Sequence, residues 1–196
     1  MSEKSRIRNT VVIIFVVLFI ATPTHARNYG PPRTGPIDMV VIHSTGGPTC
    51  DAATGKPIWV GAGTLTQNMR EIEAHPKLGI HYMIDRDGTL RSSIPESQIA
   101  YHIFSYSRRS IAIELINEGD GKDPFPEKQI DALVMLLQEI VQRREIRRDG
   151  IKRHSDLDQR MMRCDPKQRR KVDPGDAFPF DAVLNRVFTL PSTSLQ

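Results

Sequence analysis

One run constrains this chain more than any other: Ser110-Ile111-Ala112-Ile113-Glu114-Leu115-Ile116, apolar on both sides of a single carboxylate. It reads as a strand held inside a sheet, and a carboxylate in such surroundings has a functional reason to be there. Asp38-Met39-Val40-Val41-Ile42-His43 is a second short apolar strand, with a polar residue at its end. Gly79 to Asp85 is a third, and Asp87-Gly88 supplies the turn of a hairpin returning through Leu90 to Ile94. Thr64 to His75 puts Leu65, Met69 and Ile72 on one helical face. The clearest helix runs from Pro126 to Arg143, where Ile130, Leu133, Val134, Leu137, Ile140 and Val141 follow the helical spacing. Gly46 to Gly63 reads as a long loop. Past Gly150 the chain becomes irregular and polar until a short helix around Phe180 to Phe188. With no internal repeat, 196 residues of mixed strands and helices predict a single α/β domain, a central mixed β-sheet flanked by helices.

Residues 1–26 stand apart from that domain. A polar, net positive start is followed by an apolar run of 11 residues, Val11 to Ala21, and then Thr22-Pro23-Thr24-His25-Ala26. This is the order of a secretory signal peptide cut after Ala26. As a helix the apolar run rises only about 16 Å, roughly half a bilayer core, so no stable membrane span is expected after cleavage. The remainder divides into an extended lead-in (27–37), a folded domain (38–188) and a C-terminal tail (189–196). The expected location is outside the cytoplasm, periplasmic or extracellular. The whole chain carries 27 Lys+Arg against 23 Asp+Glu, and removing the leader leaves 24 against 22. So small an excess excludes a dedicated nucleic-acid binder. Arg143, Arg144, Arg147 and Arg148 crowd the end of the long helix, where cations complement the helix dipole. Export also makes the two cysteines, Cys50 and Cys164, a candidate disulfide, with a metal role for Cys164 as the competing reading.

Five histidines follow the leader: His43, His75, His81, His102 and His154. His43 ends a buried strand and opens a Ser-Thr-Gly-Gly loop, and His154 sits in Arg153-His154-Ser155-Asp156. Two imidazoles with a carboxylate and an open position make a catalytic zinc site, and Asp173, in Lys171-Val172-Asp173-Pro174-Gly175, could supply the carboxylate. Spacing alone does not choose this set.

The order of the segments carries more. Val40-Val41-Ile42-His43-Ser44-Thr45, Gly79-Ile80-His81-Tyr82-Met83-Ile84 with Arg86-Asp87-Gly88, Ala100-Tyr101-His102, the Glu114 strand, His154-Ser155-Asp156 and Lys171-Val172-Asp173-Pro174-Gly175 occur in one sequence. Together they resemble the zinc-dependent N-acetylmuramoyl-L-alanine amidases of the type-2 group, which includes peptidoglycan recognition proteins and phage T7 lysozyme. The resemblance runs from about Asp38 to Phe180. It implies Zn2+ held by His43, His154 and Asp173 in a cleft at the sheet end, Glu114 handling the proton of water, and Lys171 steadying the oxyanion. It also implies that His102 and Tyr101 contact a peptidoglycan or muropeptide substrate, and that His81 either lines the same cleft with them or caps the sheet.

Three features depart from the pattern. The stretch between His154 and Asp173 is longer than in compact relatives and contains Cys164, a rival third ligand. Ile80 stands where phage relatives carry a catalytic tyrosine. Tyr101-His102 lacks the small residues that often follow. If the ligands converge, the loops after His43 and His154 start near each other, so a Cys50–Cys164 bridge is sterically reasonable and would remove the rival. The alternative function is a non-catalytic peptidoglycan-binding module of the same fold. The sequence leaves the oligomeric state open.

Overall fold

The computed structural model describes residues 30–189. Its elements run β1 (Met39–Ser44), β2 (Gly47–Cys50), β3 (Pro57–Val60), α1 (Leu65–Ala74), β4 (Tyr82–Ile84), β5 (Leu90–Ser92) and β6 (Ser110–Leu115). They continue with α2 (Glu127–Arg144), β7 (Ile151–Arg153), α3 (His154–Leu157) and α4 (Phe180–Phe188), with a 3-10 turn at Arg148–Gly150 before β7. The expected signal peptide (1–26) and the tail from residue 190 lie outside the described residues. Among the described residues, no helix is long and apolar enough to cross a membrane. The described part of the lead-in runs extended against residues 97–99: Arg33 N–H donates to Ser97 O and Ile99 N–H to Pro31 O.

Five strands form one sheet in the order β5-β4-β6-β1-β7, parallel throughout except for β5, which returns antiparallel to β4 at the edge. The α/β architecture with a mixed sheet is therefore present. Because side chains alternate along a strand, each face has its own set. Val40 and Ile42 of β1 join Ile111, Ile113 and Leu115 of β6 against Leu133, Leu137 and Ile140 of α2 and Val183, Leu184 and Val187 of α4. On the opposite face, Ala112, Ile116 and Met83 meet Leu65 of α1, while Met39 and Val41 pack on Ile103. His43 and Glu114 share that second face. Covering both faces explains why β1 and β6 lack a polar-apolar alternation.

The helices follow their sequence signals closely. α1 starts at a reciprocal cap: Thr64 Oγ1 accepts Gln67 N–H at 3.2 Å and Gln67 Oε1 accepts Thr64 N–H at 3.0 Å. α2 begins after Pro126 and ends where Glu145 turns left-handed at φ 54°. Its terminal arginines do more than face a dipole. Arg143 and Arg144 both bind Glu96, whose carboxylate is nearly buried and also accepts Tyr82 Oη–H at 2.7 Å. That knot ties the end of α2 to the loop after β5.

Two expectations change. Gly46 to Gly63 is not a plain loop: β2 and β3 pair antiparallel there, Gly47 with Val60 through Cys50 with Pro57. The turn is built by Asp51, whose Oδ1 accepts Thr54 N–H at 2.6 Å. All four β3 residues are exposed, so no buried face imprints a period on the sequence. Likewise the polar stretch after Gly150 opens with β7, whose three residues pair with β1 and whose one buried member, Ile151, is too little to read as a strand.

Of the two readings open for His81, the structure shows contacts of the sheet-capping kind. His81 is fully buried, and its Nδ1 accepts Ala112 N–H at 2.9 Å, joining the segment before β4 to β6. Nε2 lies 3.3 Å from Gln98 O. Nε2 also lies 2.9 Å from Arg33 Nη2, so both ring nitrogens are engaged within the protein. Burial, and then the neighbouring Arg33 guanidinium, push its pKa down to about 4. The native state thus refuses a proton that the unfolded chain accepts below about 6.5. Stability is therefore lost as pH falls from about 6.5 towards 4. Urea unfolding of His81→Asn, which keeps an acceptor at the Nδ1 position, should show a shallower loss over that window than the parent, by an amount on the order of 2 kcal/mol at its acid end.

A second prediction concerns Gln129 of α2. Its buried amide donates to Ile84 O and Ile116 O, both at 3.1 Å, stitching the ends of β4 and β6 to the helix. Replacing it by Met leaves a carbonyl without a donor and should cost about 1–3 kcal/mol in urea unfolding.

Candidate metal centre and active site

The sheet sets the two central side chains. Parallel pairing places Met39 against Ser110 and, in unbroken register, His43 against Glu114 at the C-terminal end of both strands. β7 lies on the other side of β1, Val40 against Ile151 and Ile42 against Arg153. The next residue, His154, is the first of α3 and arrives beside His43. Asp173 comes from the following segment, held by Ser155 N–H donating to Asp173 O at 3.0 Å. Just beyond it Gly175 adopts φ +89°, and a Cβ there would sit 3.0 Å from both Gly119 O and Gly121 N. Only glycine lets the Asp173 segment approach that loop.

His43, His154 and Asp173 are all buried, and their ligand atoms lie within 4.8 Å of one another. His43 Nδ1 is 2.8 Å from His154 Nδ1, His154 Nδ1 is 2.9 Å from Asp173 Oδ2, and His43 Nδ1 is 3.3 Å from the same oxygen. Tetrahedral zinc, with bonds of about 2.0–2.1 Å, spaces its donors by roughly 3.3 Å, so a small relaxation of these contacts accommodates the ion. Two imidazole nitrogens and one carboxylate oxygen are the donor chemistry zinc takes, and three protein donors leave a fourth position for another ligand. The residues therefore fit a zinc centre.

Protonation states agree with that use. Burial, and then the neighbouring His154, push His43 down to about 4, so its ring is neutral near pH 7. Burial lowers His102 in the same way. For Asp173 burial acts against ionisation, but its contacts with His154 and His43 outweigh it and hold the carboxyl well below the usual carboxylate range. Glu114 moves the other way. Burial and then the Asp173 charge push it up to about 8, with Lys171 opposing.

These groups open into a cleft of about 650 Å³. His43, His154 and Asp173 line it together with Glu114, Lys171 and His102. One wall is apolar, from Val60, Ile72, Leu78, Tyr101 and Phe104, of which Tyr101 stands at the rim, 43% exposed. The other is cationic, from Arg160, Arg170 and Lys171. Sequence reasoning did not find this second wall. Its organiser is Asp158, buried, which binds Arg160 at 2.8 Å and Arg170 at 3.3 Å and whose pKa the Arg160 hydrogen bonds hold down at about 2. Two guanidiniums on one carboxylate leave a net positive charge facing the cleft. The only signal in the sequence was the density of arginine after Asp158, which does not reveal the shared partner.

His102 lines the cleft, where the resemblance expects a substrate contact. Its Nδ1 is 2.9 Å from His43 Nε2 and its Nε2 is 2.9 Å from Ser110 Oγ, so both ring nitrogens are engaged within the protein. Cys50 and Cys164 form a disulfide, with Cα atoms 5.8 Å apart. A bonded Cys164 has no thiolate to offer, which removes it as a rival to Asp173. The bridge anchors the β2–β3 hairpin to the long segment that carries Lys171 and Asp173.

Comparison with known proteins bears on the family and the fold. The family model described as N-acetylmuramoyl-L-alanine amidase matches residues 33–176. The chain is similar to the 1,6-anhydro-N-acetylmuramyl-L-alanine amidase AmpD of Enterobacter cloacae, 33% identical over 122 residues, which cover 57% of this chain and 59% of that one. It is also similar to the N-acetylmuramoyl-L-alanine amidase AmiD of Escherichia coli (strain K12), 31% identical over 108 residues, 47% of this chain and 36% of that one. The chain thus spans under two thirds of either relative. Among solved structures, E. coli AmiD in complex with the substrate anhydro-N-acetylmuramic acid-L-Ala-D-gamma-Glu-L-Lys superposes with a TM-score of 0.59 at 22% identity, covering 80% of this chain and 60% of that one. The Ph2119 endolysin from Thermus scotoductus MAT2119 bacteriophage Ph2119 gives 0.58 at 17% identity, covering 82% and 90%. At those identities the superpositions speak for the fold, while the family match extends over most of the chain, from the lead-in through the Asp173 segment: this protein belongs to the N-acetylmuramoyl-L-alanine amidase family.

Proposed function

We propose that the protein is an exported, zinc-dependent hydrolase of the amide bond between N-acetylmuramic acid and L-alanine, acting on peptidoglycan or on muropeptides. The observation that carries this reading is the meeting of His43, His154 and Asp173 in one cleft with Glu114 and Lys171. A binding module of the same fold would need none of the last two, and here both line the cleft beside an intact donor set. The leader at residues 1–26 supports export.

Zinc bound there would supply the Lewis acidity that polarises an amide carbonyl and acidifies water. The chain's own groups do the rest. Glu114, lining the cleft beside the donor set, takes a proton from the attacking water and returns it to the L-alanine amine as the C–N bond breaks. Lys171 makes no hydrogen bond or ion pair to another described residue, so its charge is available to the oxygen that becomes negative. The apolar and the cationic lining residues supply contacts for a substrate that carries both kinds of group.

Mass spectrometry of muropeptides digested with the protein from Arg27 onward should show cleavage between N-acetylmuramic acid and L-alanine, abolished by a chelator and restored by zinc. Unchanged muropeptides with zinc-loaded protein would leave the binding module as the better reading. Glu114→Gln and Lys171→Met should each keep zinc and the fold but lose about 100-fold or more in turnover. Metal analysis should find one zinc in the parent and little in Asp173→Ala, whereas Cys164→Ser should retain it. Zinc retained in Asp173→Ala would move the third ligand elsewhere.

A further inference from the structure

We propose that His102 is a positioning residue: it fixes which nitrogen of His43 carries the proton, and so keeps the His43 Nδ1 lone pair turned toward His154 and Asp173. The inference comes from counting hydrogens along a chain of contacts. Ser110 Oγ–H donates to Tyr106 O at 2.8 Å. A hydroxyl has one hydrogen, so toward His102 Nε2, 2.9 Å away, Ser110 Oγ can only accept. His102 must therefore carry its proton on Nε2. That leaves Nδ1 as an acceptor, and the group facing it at 2.9 Å is His43 Nε2. A donor is required there, so His43 is protonated on Nε2 and bare on Nδ1, and the hydrogen shared among the two rings and Asp173 Oδ2 sits on His154 Nδ1, the nearer of the two nitrogens to that oxygen. Nδ1 is the atom that meets His154 Nδ1 and Asp173 Oδ2.

The direction of the whole chain is set at a backbone carbonyl, which can never donate. Its members are fixed by the sheet and by the loop that carries His102. Ser110 is fully buried at the start of β6, paired with Met39 of β1. The loop carrying His102 is pinned by Ser107, whose Oγ accepts His102 N–H at 3.1 Å and Ile103 N–H at 3.0 Å and donates to Ile103 O at 2.6 Å. A neutral imidazole in water distributes its proton between both nitrogens, and only one distribution offers Nδ1 to a cation. Preselecting it leaves the donor ready, and an outer hydrogen bond of this kind is typically worth 10–100-fold in metal affinity. The tautomer itself is a property of the metal-free chain. Its effect on zinc rests on the proposed function above.

The test uses the protein from Arg27 onward, free of metal at pH 7.5, with 15N-labelled histidine. Long-range 15N–1H spectra should show His43 with its proton on Nε2. In His102→Leu that preference should relax toward a mixture, and zinc affinity measured by chelator competition should fall about 10–100-fold. His102→Asn places a carbonyl oxygen near the lost Nδ1 and should recover most of the affinity and the tautomer. Ser110→Ala removes the step that directs His102 without touching the cleft, and should relax the His43 tautomer even if the Leu variant folds poorly. A proton on His43 Nδ1 in the parent, or zinc binding by His102→Leu as tight as the parent's with an unchanged tautomer, would overturn the proposal. A parent that binds no zinc but shows the expected tautomer would overturn the zinc reading and leave the His102 assignment standing.

Discussion

Met39 pairs with Ser110, and the register holds without a bulge until Ser44 meets Leu115. Because side chains alternate faces, a slip of one residue between β1 and β6 would turn His43 or Glu114 into the α2 core and bring an isoleucine into the cleft. The apolar residues prevent it: Val40, Ile42, Ile111, Ile113 and Leu115 fit only the face covered by α2 and α4. The chemistry of the cleft thus depends on the packing of the opposite side of the sheet. β7 extends the same logic by one strand, since its pairing with β1 is what delivers His154 to His43.

The second face carries an unusual load of polar groups for so buried a surface. His43, His81, Ser110, His154 and Asp173 are all buried. Such groups are costly unless their hydrogen bonds are met. His81 meets its requirement with backbone, His102 and Ser110 with each other and with Tyr106 O, and the three converging donors with one another. The network is thus divided between residues that join the sheet to its loops and residues that keep a lone pair in reserve. Charge is handled separately at the cleft mouth, where Asp158 gathers two arginines that would otherwise repel.

What the sequence disclosed follows from where periodicity exists. β1, β6 and α2 bury enough apolar surface to leave a pattern, and each was readable to within a residue or two of its observed ends. β3 is exposed along its length and β7 is three residues long, so neither leaves a trace. The donor set was readable through the order of short segments, because His43, His154 and Asp173 each sit in a local context that survives as a motif. The partners of His81 and His102 were not, since nothing local to either histidine names them. What separates them is a partner far along the chain, Ala112 N–H for one and His43 for the other. Asp158 was missed for the same reason: its bond to Arg160 is local, but its burial is tertiary.

The disulfide has a further consequence in terms of chain continuity. Cys50 and Cys164 are 114 residues apart, and the hairpin turn immediately after Cys50 is exposed. A cut in that turn would divide the chain so that His43 lies on one fragment and His154 and Asp173 on the other. The two fragments would remain covalently joined across the cleft, close to the donors they carry. A molecule nicked there would still be one molecule.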